Sequence, residues 1–194
     1  QSNSLYRPLY KTNIINGKPV VRFDGSNDYL QKTTVSGFTN AASTIIFQKI
    51  NGSQCGGSYE LGLNGGVNTG LSHLAWCGST NYSRVGGAGS GDITWAYSVP
   101  YTNVIAQIYN GSTTSHKAWE NGTLKNTTVV NASFGTAPNT ITLGALTPTN
   151  YWLQTDIGEL ILFNTALSDG DRNQLNAYIQ RKWGLASSSH TITR

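Results

Sequence analysis

Nine carboxylates are the first residues to weigh for chemistry: Asp24, Asp28, Glu60, Asp92, Glu120, Asp156, Glu159, Asp169 and Asp171. Retaining glycoside hydrolysis needs two of them about 5 Å apart, one as nucleophile and one as acid/base. Only Asp24/Asp28, Asp156/Glu159 and Asp169/Asp171 lie two to four positions apart. Asp24 and Asp28 fall in the turn cluster DGSND, where Asp side chains bond backbone amides. Asp156 and Glu159 have odd spacing and would point to opposite faces of a regular strand. Asp169 and Asp171 sit at a helix start. His73, His116 and His190 carry no paired nucleophile signature. Spacing does not decide a lyase that would use Tyr and His; the expectation is that the chain is not an enzyme and that no cofactor is required.

The other chemistry-bearing groups are aromatic: five Trp and ten Tyr in a chain with only 11% charged residues, against about 25% in an average protein. Indole and phenol faces stack on the apolar faces of sugar rings, while Asn, Ser and backbone groups bond hydroxyls. Trp95, Trp119, Tyr151 and Trp152 adjoin loops or turns and are the candidate ligand contacts, with core or rim packing the alternative for each. Trp183 lies on the inward stripe of a helix and is assigned to core. Trp76, beside Cys77, could equally pack on a disulfide.

Cys55 and Cys77 flank two alternating segments around Asn64, Gly65 and Gly66, and are symmetric about Gly66. A hairpin folded there sets the sulfurs opposite each other. A disulfide would stabilise by roughly 3 kcal/mol in the chain-entropy account and implies an oxidising compartment; two buried free thiols are the alternative. Two cysteines with only His73 nearby fall short of a tetrahedral metal set. Six Asn-x-Ser/Thr sequons, at Asn51, Asn81, Asn110, Asn121, Asn126 and Asn131, are little more than this composition gives by chance.

The elements that must position these groups are mostly short strands. Lys18 to Phe23, Tyr29 to Thr34, Ser43 to Ile50, the two arms of the cysteine hairpin, Thr94 to Tyr101, Asn103 to Tyr109, Ser115 to Glu120, Thr123 to Val130, Thr140 to Gly144 and Ile157 to Phe163 read as extended. Turn signals recur every eight to twelve residues, including Asn121-Gly122, which closes a tight hairpin. Leu5 to Asn16 reads as an irregular lead-in, and Arg84 to Asp92 is glycine-rich without the GKS or GKT of a phosphate loop. One helix is expected over about 169–183. Ser168 is its N-cap, Asp169 and Asp171 favour its first turn, and Leu175, Tyr178, Ile179, Lys182 and Trp183 form one stripe. Arg181 and Lys182 suit its last turn, and Gly184 ends it. The pattern predicts an all-β, two-sheet antiparallel sandwich or jelly roll with one C-terminal helix.

The 194 residues suit a single domain, with a core over about 13–185 and a polar tail over 186–194. The formal charge of +4 is scattered, so no basic face for nucleic acid is expected, and no stretch of about 20 apolar residues predicts a membrane span. A start at Gln1 without Met fits a processed or excised segment.

NGKPVVRFDGSNDYL (Asn16 to Leu30), AWENGTLK (Ala118 to Lys125), ITLGAL (Ile141 to Leu146) and DIGELILFNTALSDGDRNQLNAYIQRKWGL (Asp156 to Leu185) resemble the laminin-G-like branch of the concanavalin A-like lectin/glucanase superfamily. The resemblance spans about residues 13 to 185, and Gly52 to Ser98 is not diagnostic. It implies two antiparallel sheets of six or seven strands, one of them concave. Members are typically glycan-binding or adhesion modules of secreted, cell-surface or phage virion proteins, and some are polysaccharide-active enzymes. The Glu-x-Asp-x-Glu strand of the retaining glucanases is missing here. Lectins of this sandwich often use calcium held by an Asp/Asn loop; Asp24, Asn27 and Asp28 would be that loop, with the turn role the alternative. The expected partner is a glycan or polysaccharide, at a cell or virion surface. A structural or decoration subunit of a phage particle or surface filament, with protein assembly partners, is the second reading.

Overall fold

The computed structural model describes residues 1–39, 41–63, 70–86, 92–111, 115–128, 134 and 137–185. After a 3-10 turn at Ser4–Tyr6, fifteen strands follow in chain order: β1 (Leu9–Ile15), β2 (Lys18–Asp24), β3 (Leu30–Lys32), β4 (Ala42–Ile50), β5 (Gly56–Gly62), β6 (Leu71–Trp76), β7 (Thr80–Val85), β8 (Ile93–Ala96), β9 (Tyr101–Tyr109), β10 (His116–Glu120), β11 (Thr123–Thr128), β12 (Thr140–Leu143), β13 (Ala145–Thr147), β14 (Asn150–Trp152) and β15 (Gln154–Phe163). The helix α1 (Asp169–Trp183) closes the described chain. A seven-stranded sheet runs β1-β2-β15-β4-β9-β10-β11 and a six-stranded sheet β3-β12-β5-β6-β7-β8, with β13-β14 as a separate hairpin. All pairings are antiparallel. The expected all-β sandwich with one C-terminal helix is the observed architecture.

The central strands alternate between two buried environments, which makes β4 and β9 almost continuously apolar or neutral. Ile45, Phe47, Val104, Ala106, Ile108 and Trp119 face the helix, with Ile179 and Trp183 packed on them. Phe23, Ile46, Tyr59, Ile105 and Ile157 form the layer between the sheets. That layer also holds a polar strip: Tyr59 Oη meets Thr44 Oγ1, Ser58 Oγ lies 3.0 Å from His73 Nδ1, and Gln107 Nε2 donates to the Ser72 carbonyl at 2.9 Å. Hydrogen bonding makes such burial tolerable.

Several expected elements differ. Leu9–Ile15 is a strand, not an irregular lead-in; it hydrogen-bonds only to β2 and is mostly exposed, so no apolar alternation announces it. Thr80–Val85 and the hairpin β13-β14 are strands that no alternation of apolar residues marked. Thr94 to Tyr101 is broken after Ala96. Arg172 rather than Tyr178 or Lys182 completes the buried helical face, with its guanidinium 4.2 Å from the Trp119 ring centre. The expected turn Asn64-Gly65-Gly66, the sequon at Asn131 and the tail 186–194 lie outside the described residues.

Candidate functional site

The carboxylates resolve first, and each pair has a structural task. Asp24 Oδ1 accepts from the amides of Ser26, Asn27 and Asp28 at 2.8, 3.2 and 3.4 Å, and Asp28 Oδ2 accepts from the Asp24 amide at 3.1 Å. This is the turn arrangement; burial, then the neighbouring Asp24 charge, push the Asp28 carboxyl above its ordinary range. Asp171 and Ser168 form a reciprocal N-cap: Ser168 Oγ accepts from the Asp171 amide at 3.1 Å and donates to Asp171 Oδ2 at 2.7 Å.

Asp156 and Glu159 share a face, contrary to the odd-spacing expectation. Their cross-strand partners on β4 are Lys49 and Phe47, two residues apart, because β15 bulges at Gly158 between Ile157 and Glu159. A methyl at Gly158 would meet Phe47 and Trp183 at 2.6 Å, so the bulge also admits the helix. Both acids are engaged by neighbouring donors. Asp156 takes a bidentate pair from Arg22 at 2.6 and 2.8 Å. Glu159 accepts from Tyr178 Oη at 3.1 Å, Lys182 Nζ at 2.9 Å and Trp183 Nε1 at 3.2 Å. Burial opposes its ionisation, but these three donors outweigh it and hold its carboxyl below the usual range.

Among the described residues, no three His, Cys, Asp or Glu side chains converge as a metal site. His73 is sealed between the sheets, and burial pulls its pKa down to about 3, so it is neutral at any ordinary pH. His116 Nε2 lies 2.8 Å from Ser83 Oγ in the same layer. His190 is outside the described residues.

The four aromatic candidates separate. Trp119 is only 5% exposed and lies in the helix-facing core under Arg172, so its ring faces are covered. Its rim borders a cleft of about 250 Å³ beside Ser168 and Lys117. Trp95 is half-buried at the sandwich edge, where its Nε1 donates to Glu120 Oε1 at 2.7 Å and Lys125 Nζ sits 5.9 Å from its ring centre. Trp152 packs its backbone on Gly56, where a methyl would approach the Trp152 carbonyl oxygen to 2.5 Å. Trp95 lies 6.2 Å from the His73 ring between ring centres, and Tyr151 joins a group of Trp and Tyr rings.

That group stands on the outer face of the six-stranded sheet. On β6, Ala75 belongs to the cluster with Ile50 and Leu153, and His73 meets Gln48 of the opposite sheet, so the alternate residues Trp76 and Leu74 point outward. On β7, Ser83 contacts His116 across the sandwich, so Tyr82 and Arg84 point outward. The rings of Trp76 and Tyr151 are 5.7 Å apart at 37°, and those of Trp76 and Tyr82 are 6.4 Å apart at 75°. Arg84 lies 5.5 Å from the Tyr82 ring and forms a bidentate pair with Asp92 at 2.8 and 2.7 Å. All five side chains are half-buried, which leaves rings and polar edges open to solvent.

The backbone around this group is shaped to hold it. Cys55 and Cys77 are disulfide-bonded, as the hairpin geometry suggested, and Cys77 follows Trp76 directly. Cys77 and Tyr151 both occupy the left-handed region, φ 51° and 59°, which is costly for side chains of this size. The hairpin β13-β14 carrying Tyr151 lies close on β5 because Gly57 leaves room for Leu146, whose Cδ2 a methyl would meet at 2.5 Å. Toward β3 the same face turns inaccessible: Glu60 and Ser72, in register with Thr142 and Arg84, are buried.

Sequence reasoning did not single out Tyr82 or Arg84, weighed Trp76 only against packing on a disulfide, and counted Asp92 only as a carboxylate with no partner at short spacing. Burial alternates along Thr80–Val85, where Asn81, Ser83 and Val85 are buried while Thr80, Tyr82 and Arg84 are not, but the residue types carry no apolar alternation that would have shown it. Of the sequons, Asn81 is sealed between the sheets, and Asn121 Oδ1 accepts from the Val104 amide at 2.9 Å.

No protein-family model matches the chain, and no curated protein matches it in sequence. Solved structures do match in fold. The binding domain of botulinum neurotoxin serotype D has a TM-score of 0.63 at 13% identity, covering 89% of this chain and 46% of that one. The binding domain of botulinum neurotoxin DC, solved in complex with rat synaptotagmin II, has a TM-score of 0.64 at 15% identity, covering 90% and 46%. A structure of botulinum neurotoxin type C, described as entering cells through interaction with two ganglioside molecules, has a TM-score of 0.65 at 17% identity, again covering 90% and 46%. The chain thus spans less than half the length of each, and identities this low establish a shared sandwich fold.

Proposed function

We propose that this chain is a non-catalytic carbohydrate-binding module that takes a glycan on the outer face of the six-stranded sheet, against Trp76, Tyr82 and Tyr151. The observation that carries the reading is the convergence of three half-exposed aromatic rings from three strands beside a half-exposed Arg84–Asp92 pair. Tilted and edge-on rings offer a sugar one stacking wall and one flanking wall, and the ion pair offers donors and acceptors for hydroxyls. The carboxylate pairs are engaged in a turn, a cap and two sheet or helix anchors, which supports a binding role over hydrolysis. One oxygen of each carboxylate in the Asp24–Asp28 turn accepts from backbone amides, the ordinary turn role, and the binding is proposed to be independent of calcium. The fold-level neighbours include a botulinum neurotoxin binding domain and a structure of the type C neurotoxin described with gangliosides, which agrees with a glycan ligand at a cell surface. The disulfide suits an extracellular or surface location.

A glycan array with and without calcium tests this, repeated with Trp76→Ala and Tyr151→Ala. Each variant is expected to weaken the binding seen for the parent chain by about tenfold, the loss of one stacking contact of about 1.4 kcal/mol, with unchanged thermal unfolding. No binding at millimolar sugar, or binding that both variants retain in full, would overturn the reading.

A further inference from the structure

Charge is scarce around the proposed glycan face. Residues 51–115 and 126–155 carry every strand of the six-stranded sheet except β3, together with the hairpin β13-β14. Their only Lys or Arg is Arg84, and their only Asp or Glu are Glu60 and Asp92, a formal −1 in a chain of +4. Arg84 is already engaged. Asp92 holds it in a bidentate pair at 2.8 and 2.7 Å, and its guanidinium lies 5.5 Å from the Tyr82 ring centre. Glu60, in register with Ser72 and through it with Arg84, adds a second carboxylate to the same face.

Cations from other elements stand away from the rings. Arg22, Lys125 and Lys182 are paired with Asp156, Glu120 and Glu159. Lys49 has the strand parity of Phe47, on the helix side of the other sheet. Lys32 lies on β3, three strand spacings or about 14 Å from β6, beyond the screening length of about 8 Å at physiological salt.

Neutral polar groups adjoin the rings instead. Thr80 is in register with Trp76, Thr94 with Tyr82, and Asn150 precedes Tyr151; none of the three is buried. Hydroxyls and amides bond sugar hydroxyls without a charged partner. An anionic sugar meets two further costs here. Aromatic faces carry the negative side of the ring quadrupole, and a carboxylate or sulfate brought onto this surface must take Arg84 from Asp92 or stay unpaired. We infer that the glycan taken on this face is uncharged, built of neutral pyranose units, and that sialylated, uronate-bearing and sulfated glycans are disfavoured; this rests on the glycan-binding reading above.

A glycan array that matches neutral galacto-, gluco- and manno-configured oligosaccharides with their sialylated, uronate-bearing and sulfated forms tests it, followed by titration of the pairs that bind. Neutral members are expected to bind at least about tenfold tighter than their anionic counterparts, with little change between low and high salt. Asp92→Asn releases Arg84, and Thr94→Arg sets an unpaired cation beside Tyr82 at an exposed position. Each should shift the affinity ratio toward the anionic member by about tenfold. Anionic members bound by the parent as well as the neutral ones, or a ratio that neither variant moves, would overturn the inference and leave the glycan reading standing. Binding of no member at millimolar sugar would instead remove the glycan reading, and the inference with it.

Discussion

Removing the Glu159 carboxylate should loosen the helix from its sheet. Three donors on α1 converge on this side chain, and they differ in worth. The Lys182 head group is 41% exposed, so its pair with Glu159 contributes well under about 1 kcal/mol. Tyr178 is 39% exposed and its bond is similarly weak. Trp183 is buried at 2% exposure, and a neutral indole N–H bonded to a carboxylate at 3.2 Å is worth about 1.5–3 kcal/mol. Glu159→Ala strands that N–H against the Phe47 ring, 4.4 Å away between ring centres, and should cost about 2–3 kcal/mol in equilibrium urea unfolding. Glu159→Gln keeps a neutral acceptor and should cost about half as much. The pH dependence carries a defined sign. Because the folded carboxyl titrates below its unfolded value of about 4.3, its contribution is complete above that value and lost as pH falls through the folded value. The stability gap between the parent and Glu159→Gln should therefore hold from neutral pH down to about 5 and narrow below about 4. A gap that does not change across that range, or a Glu159→Ala variant within about 0.5 kcal/mol of the parent, would refute the anchor.

Opening the Cys55–Cys77 loop, 22 residues in sequence separation, by double substitution to Ala should cost roughly 3 kcal/mol in urea unfolding and weaken glycan binding, since Cys77 adjoins Trp76; variants that match the parent in both would remove the disulfide from the account. His73, held neutral with a pKa near 3, should give no imidazole titration between about pH 5 and 8 in proton NMR. Protons then favour the unfolded chain, so stability should decline from about pH 6.5 downward, and less steeply in His73→Gln; a His73 midpoint near 6.5 would mean that the layer between the sheets is open to water.

Local signals reported faithfully on local structure. Ser168, Asp169, Asp171 and Gly184 bracket a helix whose ends the structure places at Asp169 and Trp183, because caps act within one turn of the residues that encode them. Asn121 and Gly122 both adopt positive φ, 51° and 86°, as a two-residue hairpin turn demands. What escaped was set by neighbours instead. Thr80–Val85 is polar at nearly every position, yet it is a strand because β6 and β8 supply its hydrogen bonds. Gly158 looked like an ordinary strand residue, and its bulge changed which face Glu159 takes.

The candidate site was legible only in kind. Aromatic residues in a chain with few charges pointed to sugar stacking, but which aromatics converge depends on a bulge in β5 between Gly57 and Tyr59, on two left-handed residues, and on a hairpin folded back over glycines far away in sequence. Trp119 shows the limit of proximity to a turn as a guide. It lies two residues before Asn121-Gly122, yet strand parity sends its ring toward the helix, while Glu120, one residue on, points between the sheets to Trp95. A one-residue difference in parity separates the helix-facing core from the layer between the sheets in the central strands, and buried from accessible positions in Thr80–Val85. The residues worth testing are therefore those whose outward direction is fixed by an inward neighbour, as Trp76 is by Ala75 and Tyr82 by Ser83.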